Sequence, residues 1–155
     1  MFKVEKINDK DLKTSITLEI MNSLRKCFNP PEDIIKKSVE HRNMPFFAAY
    51  DGTKVIGFVA LKIHNKYTVE IYNFGVLEEY HRQGIGYSLL LIVENYSKEN
   101  GYKFITVKTL DSSVEYEPYE RTRAFYFKNG FYPLEVFPLY WNKDNPCLFL
   151  AKYIG

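Results

Sequence analysis

Cysteine, histidine and tryptophan are scarce in this chain: two, three and one in 155 residues. Cys27 and Cys147 stand far apart with no metal-ligand spacing, and a chain of this length buries enough core to hold together without a disulfide. Both are expected to be buried free thiols. His41, His64 and His81 show no ligand spacing either, so no metal is expected. No apolar run approaches the length of a membrane span, and the N-terminus lacks the apolar stretch of an export signal. A soluble, cytoplasmic protein without a membrane partner is the expectation. The net charge of +2 gives no broad electrostatic case for nucleic acid. Repeats, linkers and low-complexity tracts are absent, and residues 1–155 read as a single domain.

Aromatic residues, by contrast, are plentiful, with 13 Tyr and 12 Phe. A bulky core accounts for most of them. The strongest local pattern is Glu78-Glu79-Tyr80-His81-Arg82-Gln83-Gly84-Ile85-Gly86-Tyr87-Ser88-Leu89-Leu90. Before it, Tyr67 to Val76 is rich in β-branched and aromatic residues. After it, Leu89, Leu90, Ile92, Val93 and Tyr96 recur at helical spacing until Asn100-Gly101. The order is strand, glycine loop, helix. Unpaired amides of a first helical turn and the positive end of the helix dipole converge at such a junction, which suits a pyrophosphate. Glycine is also common at ordinary helix starts, so the loop alone is weak evidence. No Gly-Lys-Ser/Thr follows, and the third glycine of a dinucleotide fingerprint is missing, so both of those nucleotide motifs are excluded.

The rest of the chain sorts into short elements. Met1 to Ile7 alternates apolar and charged residues like an edge strand. Thr14 to Phe28 carries a four-residue apolar spacing that predicts a helix, ended by Asn29-Pro30-Pro31. A second helix is predicted over Pro31 to His41. Phe46 to Tyr50, Asp51-Gly52 and Val55 to Leu61 form a hairpin pattern. Phe104 to Leu110 reads as a strand, Asp111 to Glu120 as a loop, Arg121 to Asn129 as a helix closed by Gly130. Phe131 to Leu134 and Pro146 to Tyr153 read as two final strands. This makes an α/β (α+β) domain, with short strands in one mixed sheet packed against about four helices.

Two segments, His81-Arg82-Gln83-Gly84-Ile85-Gly86 and Thr122-Arg123-Ala124-Phe125-Tyr126-Phe127-Lys128-Asn129-Gly130-Phe131, resemble the GNAT superfamily of acetyl-CoA-dependent N-acetyltransferases. The family loop runs Gln or Arg, two variable residues, Gly, one variable residue, then Gly or Ala; His81 is the departure. The second segment resembles the family's short fourth helix. The resemblance implies a mostly antiparallel sheet of about six to seven strands. It also implies acetyl-CoA as cosubstrate, held at His81, Arg82, Gln83, Gly84, Ile85, Gly86 and Tyr87 in a cleft between the strands Tyr67–Val76 and Phe104–Leu110. Arg82 reads equally as a phosphate partner or a solvated side chain. Tyr119 stands where many members carry a coenzyme-contacting Asn. The stretch Trp141 to Cys147 resembles a feature of one bacterial subgroup.

Amide formation from a thioester needs a neutral amine, whereas an alkyl ammonium has a pKa of about 10.4. Glu70 matches the position of the family's general base in some relatives; a solvent-facing strand glutamate is the plain alternative. A backbone amide near Gly75 or Val76, where Gly75 suggests a bulge, is the expected oxyanion donor and another coenzyme contact. The resemblance implies that Tyr126 lies near the coenzyme sulfur as general acid, with packing of the short helix on the sheet as the plain alternative; Phe125 is expected to pack there. Neither cysteine lies in a nucleophile setting, so direct transfer to a primary amine, small molecule or peptide, is expected. A non-catalytic acyl-CoA sensor module and an aromatic-rich interaction domain are the rival readings. The acidic residues Glu115, Glu117 and Glu120 read as a solvated surface. Monomer and homodimer stay open.

Overall fold

A computed structural model of the chain describes residues 2–28 and 30–155. The strands are β1 (Phe2–Lys6), β2 (Phe46–Asp51), β3 (Lys54–Ile63), β4 (Thr68–Val76), β5 (Phe104–Leu110), β6 (Tyr132–Asn142) and β7 (Asn145–Tyr153); the helices are α1 (Lys10–Ser23), α2 (Pro31–Glu40), α3 (Ile85–Glu99) and α4 (Glu117–Lys128). All seven strands join one sheet in the order β1-β2-β3-β4-β5-β7-β6. Every neighbouring pair is antiparallel except β4 with β5. The expected mixed, mostly antiparallel sheet with four helices is thus present. Among the described residues no helix is long and apolar enough to cross a membrane.

Successive strand residues face opposite sides of a sheet, and β4 shows which helices lie on which side. A Cβ on Gly75 would meet Ile20 and Leu24 of the α1 region, whereas Phe74 packs edge to face against Phe125 of α4. One face therefore carries α1 and α2, and the other α3 and α4. The core lies between these layers, with Phe46, Phe58, Ile20, Ile56, Leu89 and Ile105 fully buried.

Several element boundaries differ from the sequence expectation. Helix α1 begins earlier than Thr14 because the Asp9 carboxylate caps it by accepting from the Leu12 amide at 2.9 Å. It also stops before Phe28; Leu24 and Phe28 still pack on the core, but from turns. Asn29, expected to help end it, lies outside the described residues, as does Met1. Helix α4 starts at Glu117, inside the expected loop, since Pro118 fits a first helical turn where its missing N–H costs nothing. Strand β6 runs on from Tyr132 to Asn142 rather than stopping at Leu134. Its inward-outward pattern is absent because it is a sheet edge exposed along nearly its whole length, which also tolerates Pro133 and Pro138. Cys147 is buried as expected, but Cys27 is only half-buried; both are free thiols.

Candidate active site

The parallel pair that centres the sheet is short. Strands β4 and β5 pair only from Thr68 with Phe104 to Ile71 with Val107. Beyond that point β4 stays with β3 up to Val76, and β5 stays with β7 up to Leu110, so the two strands part and leave a cleft. The irregularity that starts the divergence lies at Tyr72, which the register skips between Ala60–Asn73 and Leu61–Ile71. The bulge expected at Gly75 is therefore misplaced. Glycine is needed at 75 for another reason: a Cβ there would stand 3.0 Å from Leu24 and 3.2 Å from Ile20.

The glycine loop leads from the open end of β4 into α3. Gly84 caps α3 with φ +81°, and Arg82 also adopts a left-handed φ of +64°. Left-handed residues interleaved with ordinary ones turn successive amides toward one concavity. Among the described residues, no protein acceptor pairs with the backbone N–H groups of Arg82 through Tyr87; the series resumes with the Ser88 amide on the Gly84 carbonyl. Arg82, Gln83, Gly84 and Tyr87 are exposed, whereas Ile85 enters the core. The Gln83 side chain donates to the Glu79 carbonyl at 3.3 Å. A Cβ on Gly86 would make ordinary contacts with Phe125 and Phe74, so alanine would fit there. His81 is exposed as well, but its Nε2–H donates to the Val76 carbonyl at 2.7 Å, bracing the loop against the end of β4. Thr109, on β5 beyond the divergence, has a buried hydroxyl with no hydrogen-bond partner among the described residues. Unpaired amides at a helix start, an orphan hydroxyl and a parted strand pair together fit an elongated ligand with a diphosphate at one end.

On the α2 face of the cleft stands Glu70, only 3% exposed. The solvent-facing alternative for this residue is excluded. Its Oε1 accepts from His64 Nε2 at 2.6 Å and from Lys108 Nζ at 3.0 Å. Among the described residues no protein donor reaches Oε2. The His64 side chain is 34% exposed and so connects the buried carboxylate with solvent. Next along, Tyr72 accepts from Lys37 Nζ at 2.7 Å and donates to Glu40 Oε2 at 2.9 Å. Burial and the neighbouring Glu40 push the Tyr72 phenol well above its usual range. Asn73 is held by His41, whose Nε2–H donates to Oδ1 at 2.7 Å while Nδ1 faces the Thr17 hydroxyl at 2.8 Å. Desolvation lowers the His41 pKa to about 4, with the Asn73 hydrogen bond opposing it.

On the opposite face, Tyr126 is 4% exposed and stacks edge to face with Phe125 and Phe131. Burial raises its phenol pKa, keeping it protonated, with Tyr119 as a lesser cause. Tyr119 sends its hydroxyl to the Cys27 carbonyl at 2.7 Å, and Tyr116 bonds the Lys26 carbonyl, so the start of α4 is clasped to the turns after α1. Buried Arg123 donates to the Leu110 carbonyl at 2.6 Å, fixing α4 to the end of β5.

A divergent β4–β5 pair beside a glycine-capped helix agrees with the match of residues 17–131 to the acetyltransferase (GNAT) family model. The chain belongs to the GNAT acetyltransferase family. A curated relative, the β-lysine N(6)-acetyltransferase of Methanococcus maripaludis, is 36% identical over 76 residues; the match covers 48% of this chain and 27% of that protein. The chain thus spans little more than a quarter of that relative's length. Among solved structures, a GNAT-family protein from Desulfovibrio desulfuricans superposes over 100% of both chains with a TM-score of 0.85 at 16% identity. The PaiA N-acetyltransferase of Thermoplasma acidophilum, solved with coenzyme A, gives 0.73 at 20% identity over 99% of each chain. At these identities the likeness is one of fold.

His64, Lys108, His41 and Arg123 escaped the sequence reading as site residues. Each acts through a partner distant in sequence or on another element, and no local motif marks such pairs.

Proposed function

We propose that this GNAT protein is a cytoplasmic enzyme that moves the acetyl group of acetyl-CoA directly to a primary amine. The single sheet built from all seven strands supports reading residues 1–155 as one such domain. The observation that carries the proposal is Glu70: a buried carboxylate at the apex of the cleft, clamped on Oε1 and open on Oε2. A general base has to be held in place while one oxygen stays available for the proton it takes.

In this reading the unpaired amides of Arg82 through Tyr87 bind the coenzyme diphosphate, with Gly84 shaping the turn. His81 contributes by bracing the loop on the Val76 carbonyl. The coenzyme supplies the activated acetyl group. Glu70 Oε2 takes the proton from the acceptor ammonium, and Lys108 and His64 keep Oε1 from rotating away. The backbone amide of Val76 steadies the acetyl oxygen, the register turning that of Gly75 toward Phe58 on β3 instead, a contribution of about 3 kcal/mol in comparable sites. Tyr126, a neutral phenol at any ordinary pH, donates toward the departing sulfur. Tyr119 serves as a structural clasp, since its hydroxyl is already bonded to Cys27. The name of the Methanococcus relative and the carboxylates Glu40 and Glu70 on one face support a small cationic amine as acceptor.

An amine panel that includes β-lysine, lysine and simple diamines, assayed with acetyl-CoA by free-thiol release, tests this. Turnover is expected with at least one small amine, and Glu70→Gln should lower kcat/KM by about 100-fold or more. Undiminished turnover in Glu70→Gln would remove the base assignment.

A further inference from the structure

We infer that Lys108 is itself an acceptor, and that the protein acetylates Lys108 Nζ when no external amine fills the site. The inference rests on the acetyl-transfer reading of the same cleft. Lys108 is the first β5 residue beyond the last β4–β5 pair, Ile71 with Val107, so it stands at the apex of the opening. Its Nζ lies 3.0 Å from Glu70 Oε1 and sits over the rings of Tyr140 at 5.2 Å and Phe149 at 5.7 Å. A cation held by a buried carboxylate and two aromatic faces occupies the kind of seat an acceptor ammonium needs. The other lysines with buried or half-buried contacts are committed elsewhere. Lys13 bonds the Met44 carbonyl, Lys37 the Tyr72 hydroxyl, and Lys152 joins Glu94 to the Asn129 carbonyl. Among the described residues, Lys108 is the only lysine bonded to Glu70.

The step balances without a further reagent. Glu70 takes one proton from the Lys108 ammonium, the freed lone pair forms the N–C bond, and the C–S bond breaks. The second nitrogen proton ends on the departing sulfur as the thiol. Acetyl-Lys108 carries no charge, so the Lys108–Glu70 ion pair is lost and His64 alone is left on Oε1.

The test incubates the purified chain with acetyl-CoA and no amine, then maps acetylated lysines by tandem mass spectrometry. Calorimetry with coenzyme A is run alongside. Lys108 should gain its acetyl group at least about tenfold faster than exposed Lys66 and Lys98, and Glu70→Gln, checked for folding by circular dichroism, should slow it by about 100-fold. Acetyl phosphate, which lacks the coenzyme's diphosphate, should reverse the preference, because the Lys108 side chain is only 16% exposed. If coenzyme A binds but Lys108 is modified no faster than the exposed lysines, the inference is overturned while the acetyl-transfer proposal stands. If coenzyme A does not bind at all, both fall.

Discussion

Acidification should destabilise this protein through one histidine. His41 is fully buried and held near pKa 4, against 6.5 in an unfolded chain. Between those values the unfolded chain binds a proton that the folded chain refuses. Stability due to this group is therefore complete above about pH 6.5 and declines as the pH falls toward 4. Each unit of difference corresponds to about 1.4 kcal/mol, so the whole shift is worth about 3 kcal/mol, most of it lost by about pH 4.5. Other groups titrate in the same range, which is why the comparison with His41→Gln matters. Glutamine cannot take up the proton, yet it still offers a polar group to Asn73 and Thr17. Urea unfolding followed by circular dichroism at pH 7 and about pH 4.5 should show the parent losing about 2 kcal/mol more than the variant. Equal losses in the two proteins would refute the reasoning and mean that His41 is already charged, or does not titrate there.

Two further outcomes follow from single contacts. Gly84→Ala places no atom in a clash but forces a left-handed residue to carry a Cβ, costing about 1–2 kcal/mol; it should weaken coenzyme A binding in calorimetry while the far-ultraviolet spectrum is unchanged. Tyr119→Phe removes the hydrogen bond to Cys27 and should lower stability by about 1 kcal/mol, with faster amide exchange over residues 24–28 as its signature; unchanged exchange there would argue against the clasp.

The glycine loop, its flanking strand and helix, the Asp-Gly hairpin and the Phe-Tyr helix were legible because each is written in neighbouring residues. Helical spacing after Gly86 and a glycine beyond Asn100 are enough to set α3 within its two ends. Where burial is absent, the signal disappears: β6 is exposed on both faces, so no alternation marked its true length. The start of α4 was hidden in a polar segment whose helical state depends on Pro118 and on the clasp made by Tyr116 and Tyr119.

Sequence alone determined that this chain would carry a glycine turn opening a helix, since left-handed glycine geometry and a helix start are local properties. It also singled out Glu70 by position, but not the clamp around it. Only the tertiary structure decided that His64 and Lys108 meet on one oxygen of that carboxylate, that His41 supports Asn73, and that the bulge falls at Tyr72 rather than Gly75. Those arrangements depend on strand register and on which helix covers which face, and both are settled by the burial of the whole core rather than by any stretch of residues.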